Sequence, residues 1–541
     1  MTFASVSRLV ERRRAARLRR VMRGHRQLRE SGRIELLDQL LFDLCDTPLF
    51  DGAAGRVIFG AEAGEGEAIV RQYLLTRFAA LDFKKAVLAA IADRRSPVAY
   101  PLPAAWRDVV ARHGISISRW QCKMLWYCYV CVYLALGVGN IAKLTLTAFK
   151  RNRPSLGGTA FFDQLSANNL PFSEGGPGRN IVAWYIQWDG RLASVRGITH
   201  QVKGAADRSI DGLPVRRVDL PFPTPCSASG LARFLSASLI KMLAAAADAL
   251  RGRWWGALML AESVRVSAVA HADTDELPAD YLFHNSAWLY RPMWTYEAER
   301  QGSRILFYFY STNCELFKRS DGYPRQTGCW ELSTWSNYLV WDEPQAEFVR
   351  RTIGDRDITV VGPIWFSDAP ADLPAIRRPS IAAFDVQPMR EGFYRTLGLG
   401  VEYYIPDVAC RFASDIAELS RELGFMLLWK QKRDIGSFCH PRYRALLYGL
   451  VGQENVCELE PAIAAQRIIG LADIVVSMPF TSTALIARAM GKPSCYYDPL
   501  ALLQKDDRAA HGIPLLQSVS ELRAWIDANA PVGAAKLELD R

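Results

Sequence analysis

Residues 472–499 read ADIVVSMPFTSTALIARAMGKPSCYYDP and contain a complete strand–turn–helix–strand unit. The segment DIVVS, residues 473–477, is short, apolar and β-branched, which predicts a buried strand. MPFTST makes a tight connection, ALIARAM continues as a helix, and Gly491 ends that helix. Residues 494–497 are then predicted to form the next strand.

The same alternation of strands and helices continues on both sides of this unit. Strands are predicted at 381–384, 425–429, 455–459, 473–477 and 494–497, with helices at 408–423, 441–450, 463–471, 483–490 and 520–528. Regular alternation of this kind is typical of a parallel sheet with helices on both faces. We therefore assign residues 365–530 to one Rossmann-like domain.

A second series of elements precedes this domain. It has predicted strands at 180–188, 281–284, 303–310, 338–341 and 358–361, and helices at 231–250 and 254–264. Residues 180–364 are therefore assigned to a first Rossmann-like domain. Ligands of such sheets bind beyond the carboxyl ends of the strands, so two facing domains predict a site in the cleft between them.

The N-terminal part of the chain has a different character. Residues 1–34 hold eleven Arg and two Glu, so this Arg-rich tail is strongly basic. Residues 35–150 look helical, and the Gly-, Pro- and Asn-rich segment 151–179 predicts a linker or an ordered loop. We expect an N-terminal helical extension, whose tail is either a helix on an anionic membrane surface or a solvated arm.

One long uncharged stretch, residues 124–142, lies in this helical region. As a helix it would span roughly 28 Å, close to the thickness of a bilayer core. The stretch has three interpretations: a buried helix, an in-plane or re-entrant membrane contact, or a true membrane span. We prefer the buried helix, because Gly137, Gly139 and Asn140 weaken its far end as a lipid-facing segment.

Composition and motifs exclude several classes of protein. Half of the 541 residues are apolar, which excludes a disordered or disulfide-stapled chain and suits two or three domains. The net charge of +10 lies almost entirely in the tail, so we expect no nucleic-acid partner. Eleven scattered cysteines and no recognisable signal peptide indicate a cytoplasmic protein. No metal cluster or P-loop motif is evident, and we expect no metal or cofactor.

Three consecutive hydroxyl residues precede the helix at 483–490. Thr481, Ser482 and Thr483 stand at the carboxyl end of a predicted central strand. Hydroxyls and free N–H groups at a helix N-terminus form an anion site, which the helix dipole favours. We expect phosphate binding here, and a plain N-cap is the alternative.

A second group of polar residues lies in the segment LLWKQKRDIGSFCHPRY, residues 427–443. A predicted strand ends at Lys430 and Lys432, and His440 and Pro441 open the next helix. Proline is common at a first helical position. The two lysines and His440 together would neutralise a nucleotide phosphate, whereas the alternative is a solvated basic loop with an incidental histidine.

The segment PFTSTALIA…GKPSCYYDP resembles the signature of the PFTS motif family of bacterial surface-polysaccharide biosynthesis proteins. Residues 290–313 (YRPMWTYEAERQGSRILFYFYSTN) and 381–388 (IAAFDVQP) are also similar to that family. The resemblance covers roughly residues 180–500.

More distantly, His440-Pro441 and the Ser/Thr loop are similar to the HP and Ser/Thr motifs of bacterial sialyltransferases and capsule Kdo transferases. These enzymes have GT-B folds and use CMP-activated sugar acids. The resemblance implies a GT-B-like fold for this chain. It also implies that His440, Thr481, Ser482 and Thr483 contact the nucleotide. The Asp/Glu-Asp-Gly motif of many such sialyltransferases has no match here, which leaves the catalytic carboxylate and the sugar open.

Glycosyl transfer needs a carboxylate or histidine near the acceptor hydroxyl. Asp385 directly follows a predicted strand, and Glu297 lies close before another. Both fall inside the family-like segments, so we predict them as the catalytic residues. A structural salt bridge or cap is the alternative for each, and Glu315, Asp342 and His284 are weaker candidates.

Together these observations predict a metal-independent GT-B glycosyltransferase at the cytoplasmic side of the inner membrane. Its donor is a nucleotide sugar, in one version a CMP-activated Kdo or sialic-acid-like sugar. Its acceptor is a lipid-linked glycan of a surface polysaccharide such as O-antigen or capsule. The alternatives are a UDP- or GDP-sugar transferase or epimerase of the same fold, and a non-catalytic membrane-associated assembly protein.

Overall fold

The structure is a computed structural model of this chain. It describes residues 3–33, 35–49, 63–93, 95–149, 155–170, 180–285, 290–312, 314–326, 328–366, 372–376, 379–389, 403–431 and 436–531. These residues form a group of N-terminal helices followed by two largely parallel sheets with helices. The predicted α/β class, with two Rossmann-like units and an N-terminal helical extension, is confirmed.

The first sheet has eight strands in the order β3-β4-β2-β1-β5-β6-β7-β8. Its strands are β1 Ala160–Phe162, β2 Ile198–His200, β3 Arg208–Ile210, β4 Leu213–Arg217, β5 Asp280–His284, β6 Arg304–Tyr308, β7 Asn337–Val340 and β8 Asp357–Val360. All neighbours are parallel except the antiparallel pair β3–β4. Every residue of β1, β2 and β5 is buried, which suits central strands covered on both faces.

The second sheet has six parallel strands in the order β11-β10-β9-β12-β13-β14. Its strands are β9 Ser380–Phe384, β10 Met426–Lys430, β11 Val456–Leu459, β12 Ile474–Ser477, β13 Ser494–Tyr497 and β14 Leu515–Leu516. The chain passes from β9 to β10 and β11 and then returns to the other side of β9 with β12. The carboxyl ends of β9 and β12 therefore form the switch point at which such sheets bind ligands.

Helices cover both sheets and form the N-terminal extension. They are α1 Phe3–Glu30, α2 Leu36–Asp46, α3 Ala63–Arg77, α4 Leu81–Ala92, α5 Ala104–Arg112, α6 Arg119–Ala148, α7 Ile181–Gln187, α8 Ala228–Leu250, α9 Trp255–Ala270, α10 Met293–Arg300, α11 Gly328–Glu331, α12 Glu343–Ile353, α13 Pro406–Glu422, α14 Pro441–Val451, α15 Ala465–Leu471, α16 Ser482–Ala489 and α17 Val519–Asn529. The Arg-rich tail is not a solvated arm over residues 21–28, because Val21 and Leu28 are buried and Gly24 packs closely on the backbone of Leu88 in α4.

Alternate residues of the second sheet face two different hydrophobic cores. Ala382 and Val475 belong to the core that contains the first sheet and the helical extension. Ile381 and Ile474 belong to a separate core beneath α13 and α14. The first of these cores is therefore continuous between the two units. Because side chains alternate along a strand, each strand of the second sheet contributes to both cores.

Two predictions about the start of the first unit are wrong. Residues 180–188, predicted as a strand, contain helix α7 instead, because the side chain of Asn180 accepts hydrogen bonds from the N–H groups of Val182 and Ala183 at 3.0 Å. The segment 151–179, predicted as a linker or an ordered loop, contains β1, a central strand of the first sheet. Residues 151–154 and 171–179 of that segment lie outside the described residues.

The prediction of a buried helix over residues 124–142 is also wrong. The segment is helical and forms the middle of α6, but only 17% of its most apolar window is buried. Trp126 and Val130 are buried on one side, whereas Met124 and Val132 on other sides are about half exposed. The sequence does not reveal this exposure, because residues 124–142 are apolar on every side of the helix. A fully buried helix has the same composition.

Candidate active site

The PFTST turn lies at the carboxyl end of β12, beside the carboxyl end of β9. The N–H of Met478 donates to the carbonyl of Phe384 at 2.8 Å, which extends the pairing of the two strands into the turn. Phe480 has a φ of 62°, a left-handed conformation that is rare for a large side chain. Its ring packs edge-on against Phe317 and Tyr496, and these contacts stabilise the strained turn.

The hydroxyls of this turn mostly bond one another and the backbone. Thr481 donates to the carbonyl of Met478 at 2.8 Å, and Thr483 lies 2.8 Å from the hydroxyl of Ser477. Among the described contacts, the Thr481 side chain makes no capping hydrogen bond to α16. A plain N-cap therefore does not describe this turn. The N–H groups of the first turn of α16 have no partner within the helix and point at the carboxyl edge.

Ser482 joins this turn to the first unit. Its hydroxyl accepts a hydrogen bond from the N–H of Thr312 at 3.2 Å and lies 3.2 Å from the Thr312 hydroxyl. Thr312 follows β6, a strand near the middle of the first sheet. This contact brings the carboxyl edges of the two sheets together, as the sequence predicts for facing domains.

His440 and Lys430 lie at the same edge of the second sheet. Lys430 ends β10, is buried, and pairs in register with Phe384 of β9. The N–H of His440 donates to the carbonyl of Pro388 at 2.9 Å, which fixes the start of α14 beside the loop after β9. Pro441 is the first residue of α14, as predicted.

The ring of His440 has an unused polar atom. Its Nδ1 is buried and has no hydrogen-bond partner among the residues that the structure describes. A buried ring nitrogen without a partner is costly, so this atom is a candidate ligand contact. Lys432, the other predicted phosphate contact, lies outside the described residues.

The two predicted catalytic carboxylates occupy different places. Asp385 directly follows β9, is buried at the carboxyl edge, and accepts a hydrogen bond from the hydroxyl of Tyr443 in α14. Glu297 lies on α10, where it pairs with Arg300 at 2.9 Å and with Gln301 at the helix end. Because α10 returns towards the amino ends of the strands, the structure brings Asp385 to the cleft and does not bring Glu297 there.

The weaker carboxylate candidates have structural partners between the two units. Glu315 forms ion pairs with Arg351 and Arg508. Asp342 lies 2.9 Å from Nδ1 of His511 and 3.2 Å from Arg488. The contacts with Arg488, Arg508 and His511 connect the first unit to α16 and to the loop before β14, so they hold the cleft in place.

The carboxyl edge of the first sheet carries further polar residues. Asp163 directly follows β1 and is buried, and its N–H donates to the carbonyl of Leu282 at 2.9 Å. His284 ends β5, and burial lowers the pKa of its ring to about 4. Its ring lies 5.4 Å from that of Tyr308 and 5.9 Å from that of Tyr310. Asp163 was missed in the sequence because its strand is only three residues long and lies in a Gly- and Asn-rich segment.

A cavity of about 230 Å³ opens beside Asp163. Charged side chains of both signs line it, among them Asp163, Asp219, Glu262, Arg77, Lys143 and Arg265. Asn140, Lys143 and Leu144 of α6 form one wall. Its charged side chains of both signs suit a polar group, although ligand pockets usually have larger volumes of about 300–1,000 Å³.

A larger cavity, of about 590 Å³, lies at the opposite, amino edge of the first sheet. Asp355 and Asp357, spaced as a DxD pair, line it together with Arg291. Within the described residues, no group of three or more metal-ligating side chains is present. The PFTST turn contacts the carboxyl edge of the first sheet, so this cavity lies at the edge that faces away from it.

A family model described as "Polysaccharide biosynthesis PFTS motif protein" matches residues 237–526. The chain belongs to this family. The matched part contains the whole second sheet, the PFTST turn and the strands β5 to β8. The membership predicted from the PFTST motif is therefore confirmed, and with it a place in polysaccharide biosynthesis. A search of curated protein sequences gave no match.

Solved structures with a similar fold were also found for this PFTS protein. A UDP-glucosyltransferase from Polygonum tinctorium is 11% identical with a TM-score of 0.30, covering 69% of this chain and 83% of that one. A UDP-GlcNAc 2-epimerase from Methanocaldococcus jannaschii is 10% identical with a TM-score of 0.33, covering 69% and 92%. The wall teichoic acid polymerase TagF is 12% identical with a TM-score of 0.34, covering 72% and 87%. These scores are too low to support any inference about substrate or residue roles.

Proposed function

We propose that this PFTS protein is a GT-B-type glycosyltransferase that works without a metal ion in the cleft between its two sheets. The contact between Ser482 and Thr312 is the observation that carries the proposal. It brings the N-terminus of α16, a site suited to phosphate, next to the polar carboxyl edge of the first sheet. Transfer between two bound substrates requires this proximity.

The second unit would hold the nucleotide donor. The N–H groups at the start of α16 and the hydroxyls of Thr481, Ser482 and Thr483 would surround a phosphate. His440 would contribute Nδ1 or a positive charge from the side, and Lys430 and Lys432 would add cationic charge. As the bond between sugar carbon and phosphate oxygen breaks, these groups would stabilise the negative charge left on the phosphate.

The first unit would hold the acceptor. We propose that Asp163 takes the proton of the acceptor hydroxyl as its oxygen bonds to the sugar carbon, because Asp163 lies at the carboxyl edge and lines a cavity. Asp385 lies on the donor side beneath Tyr443, and we assign it to holding α14 in place. Glu297 pairs with Arg300 away from the cleft, and this position does not favour a catalytic role.

The resemblance of His440-Pro441 and the PFTST turn to HP and Ser/Thr motifs supports a CMP-activated sugar acid, such as Kdo or a sialic-acid relative, as the donor. A UDP- or GDP-sugar transferase or epimerase would use the same cleft. The acceptor would be a lipid-linked glycan at the cytoplasmic face of the inner membrane, destined for O-antigen or capsule. A non-catalytic assembly protein would leave His440 Nδ1 and the α16 N-terminus without a ligand.

A thermal-shift panel with CMP, CDP, UMP, UDP and GDP tests the proposal. A nucleotide at 100 times its dissociation constant adds roughly 2.7 kcal/mol to the free energy of unfolding. We expect a selective shift with CMP that His440→Ala removes and that the exposed-site control Ser520→Ala retains. A selective shift with UDP or GDP would keep the fold of the site and reject the CMP donor. No shift with any nucleotide would favour the assembly protein.

A further inference from the structure

Two long apolar helices, α6 and α8, lie against each other and against α9. Both are long and apolar enough to cross a membrane by length and composition. Only 17% and 22% of their most apolar windows are buried. Their outward faces therefore form a large apolar surface on the first unit, which soluble monomeric proteins rarely expose.

The packing of α6 on α9 excludes a transmembrane orientation. Its buried residues form one stripe along the whole helix: Cys122, Trp126, Val130, Gly137 and Leu144. At Gly137 an added Cβ would come within 2.6 Å of the Leu260 side chain, so the two helices are in close contact there. A helix fixed along its length to a folded α/β domain is able to lie in a membrane surface but not to cross the membrane.

The second helix is fixed in the same way. Lys241 of α8 donates to the carbonyl of Ser263 at 3.1 Å and to the hydroxyl of Ser267 at 2.8 Å, and both residues belong to α9. The exposed apolar residues lie on the side of each helix opposite to its buried stripe. The outward surface includes Trp120, Met124 and Val138 of α6 and Leu239, Leu243 and Leu250 of α8.

Helices α6 and α8 carry mostly basic charges, and the acidic residues nearby include Asp108, which pairs with Arg119 at 3.3 Å, and Asp82, beside Tyr100. Helix α6 contains no acidic residue and carries Arg119, Lys123 and Lys143 near its two ends. The basic helix α1 lies nearby, since Tyr100 lies within electrostatic range of both Arg17 in α1 and Tyr129 in α6. Exposed arginines of α1 are Arg17, Arg19, Arg20, Arg23, Arg26 and Arg29. An apolar surface with a basic rim and exposed aromatic residues matches the interface of an anionic bilayer.

We propose that the outward faces of α6 and α8 form the surface by which this protein lies on an anionic lipid bilayer, with the arginines of α1 at the headgroups. The helices lie in the plane of the interface and do not span it. Helix α6 also supplies Asn140, Lys143 and Leu144 to the cavity beside Asp163. Where the proposed function holds, binding of α6 to the membrane keeps the cavity on its inward side close to a lipid-linked acceptor.

Vesicle flotation of the full-length protein tests this surface. The vesicles contain phosphatidylethanolamine and phosphatidylglycerol, or phosphatidylcholine alone for comparison. We expect strong binding to the anionic vesicles that increasing salt weakens. The double variants Met124→Glu/Val138→Glu and Leu239→Glu/Leu243→Glu should each reduce binding by at least about tenfold. The control Tyr448→Glu changes an exposed apolar residue of α14 in the second unit and should bind normally.

The outcomes separate this proposal from its rivals and from the proposed function. Equal binding of the helix variants and the wild-type protein, or no binding to anionic vesicles, would overturn it. Sedimentation that shows a wild-type dimer which the same variants dissociate would assign the surface to a second copy of the chain instead. Circular dichroism checks that the variants fold. The nucleotide shift is measured on the same variants without vesicles, so a failure of the donor site gives a different result.

Discussion

The hydroxyl of Ser482, in the first turn of α16, lies 3.2 Å from both the backbone nitrogen and the hydroxyl oxygen of Thr312. The two residues belong to different units and are 170 positions apart in the chain. Their contact places the PFTST turn at the boundary between the two units rather than within one of them. A substitution in this turn should therefore affect both the proposed donor site and the position of the first unit.

Ser482→Ala should lower the stability of the protein and weaken nucleotide binding. It removes the acceptor of the Thr312 N–H, and a buried donor left without a partner costs about 1–3 kcal/mol. We expect a lower midpoint of chemical unfolding together with at least about fivefold weaker nucleotide binding. Denaturant titration and calorimetric binding measure the two effects. Ser520→Ala, at an exposed site, should change neither, and a Ser482 variant with normal nucleotide affinity would remove Ser482 from the donor site.

His440→Ala should weaken donor binding without unfolding the protein. The backbone N–H of His440 holds the start of α14, and the substitution keeps that contact. The lost contact is from a buried Nδ1, and hydrogen bonds to charged groups contribute about 1.5–3 kcal/mol. We expect roughly 10- to 150-fold weaker nucleotide binding with an unchanged melting temperature of the free protein. Equal affinity in variant and wild type would make His440 a structural residue only.

Asp163→Asn should separate catalysis from donor binding. The amide has the shape of the carboxylate but is not able to take a proton, so transfer to the acceptor should fall by at least about 100-fold. Nucleotide binding should stay normal, because Asp163 belongs to the other unit. The matched control is Asp219→Asn, which changes a second carboxylate of the same cavity. A transfer assay in which both variants lose activity equally would indicate acceptor binding rather than proton transfer.

Stability should fall in mild acid. Burial lowers the pKa of both His200 and His284 to about 4 in the folded protein, whereas an unfolded histidine has a pKa of about 6.5. The unfolded chain therefore binds more protons between these values. The stability from neutral burial is complete above about pH 6.5 and is lost as pH falls towards 4, by up to roughly 1.4 kcal/mol per pH unit for each histidine.

Denaturant unfolding between pH 7 and pH 5 checks this pH dependence. The double variant His200→Gln/His284→Gln should show a flatter decline than the wild-type protein, although its stability at pH 7 is expected to be lower. Parallel declines in the two proteins would show that these histidines are already protonated in the folded state, or that other groups dominate the acid sensitivity.

The second sheet was predictable because each of its strands is short, apolar and bounded by clear turn residues. The strand Ser494–Tyr497 was predicted at its observed bounds, and Ile474–Ser477 and Ser482–Ala489 were predicted to within one residue. Here local composition, periodicity and the packing of the folded chain all favour the same structure. The PFTST turn could be located for the same reason.

Other parts were not predictable, because tertiary contacts or single side chains decide them. The segment NIVAWYIQW has the composition of a strand, but the N–H groups of Val182 and Ala183 donate capping hydrogen bonds to the side chain of Asn180 and a helix begins there. Strand β1 is too short to give a periodic signal, and Asp163 was missed with it. Glu297 was assigned from its place in the sequence, which does not reveal the direction of the helix that carries it. The exposure of α6 depends on its contact with α9, a relationship between distant segments.

Hydrogen–deuterium exchange with and without saturating CMP tests the central claim most directly, because it locates the bound nucleotide. We predict slower exchange confined to the PFTST turn and the start of α16, residues 478–484, and to the start of α14, residues 436–443. The cavity at the amino edge of the first sheet, lined by Asp355 and Asp357, should exchange as before. Slower exchange only at that cavity, or no change with CMP, UDP or GDP, would contradict a donor site in the cleft.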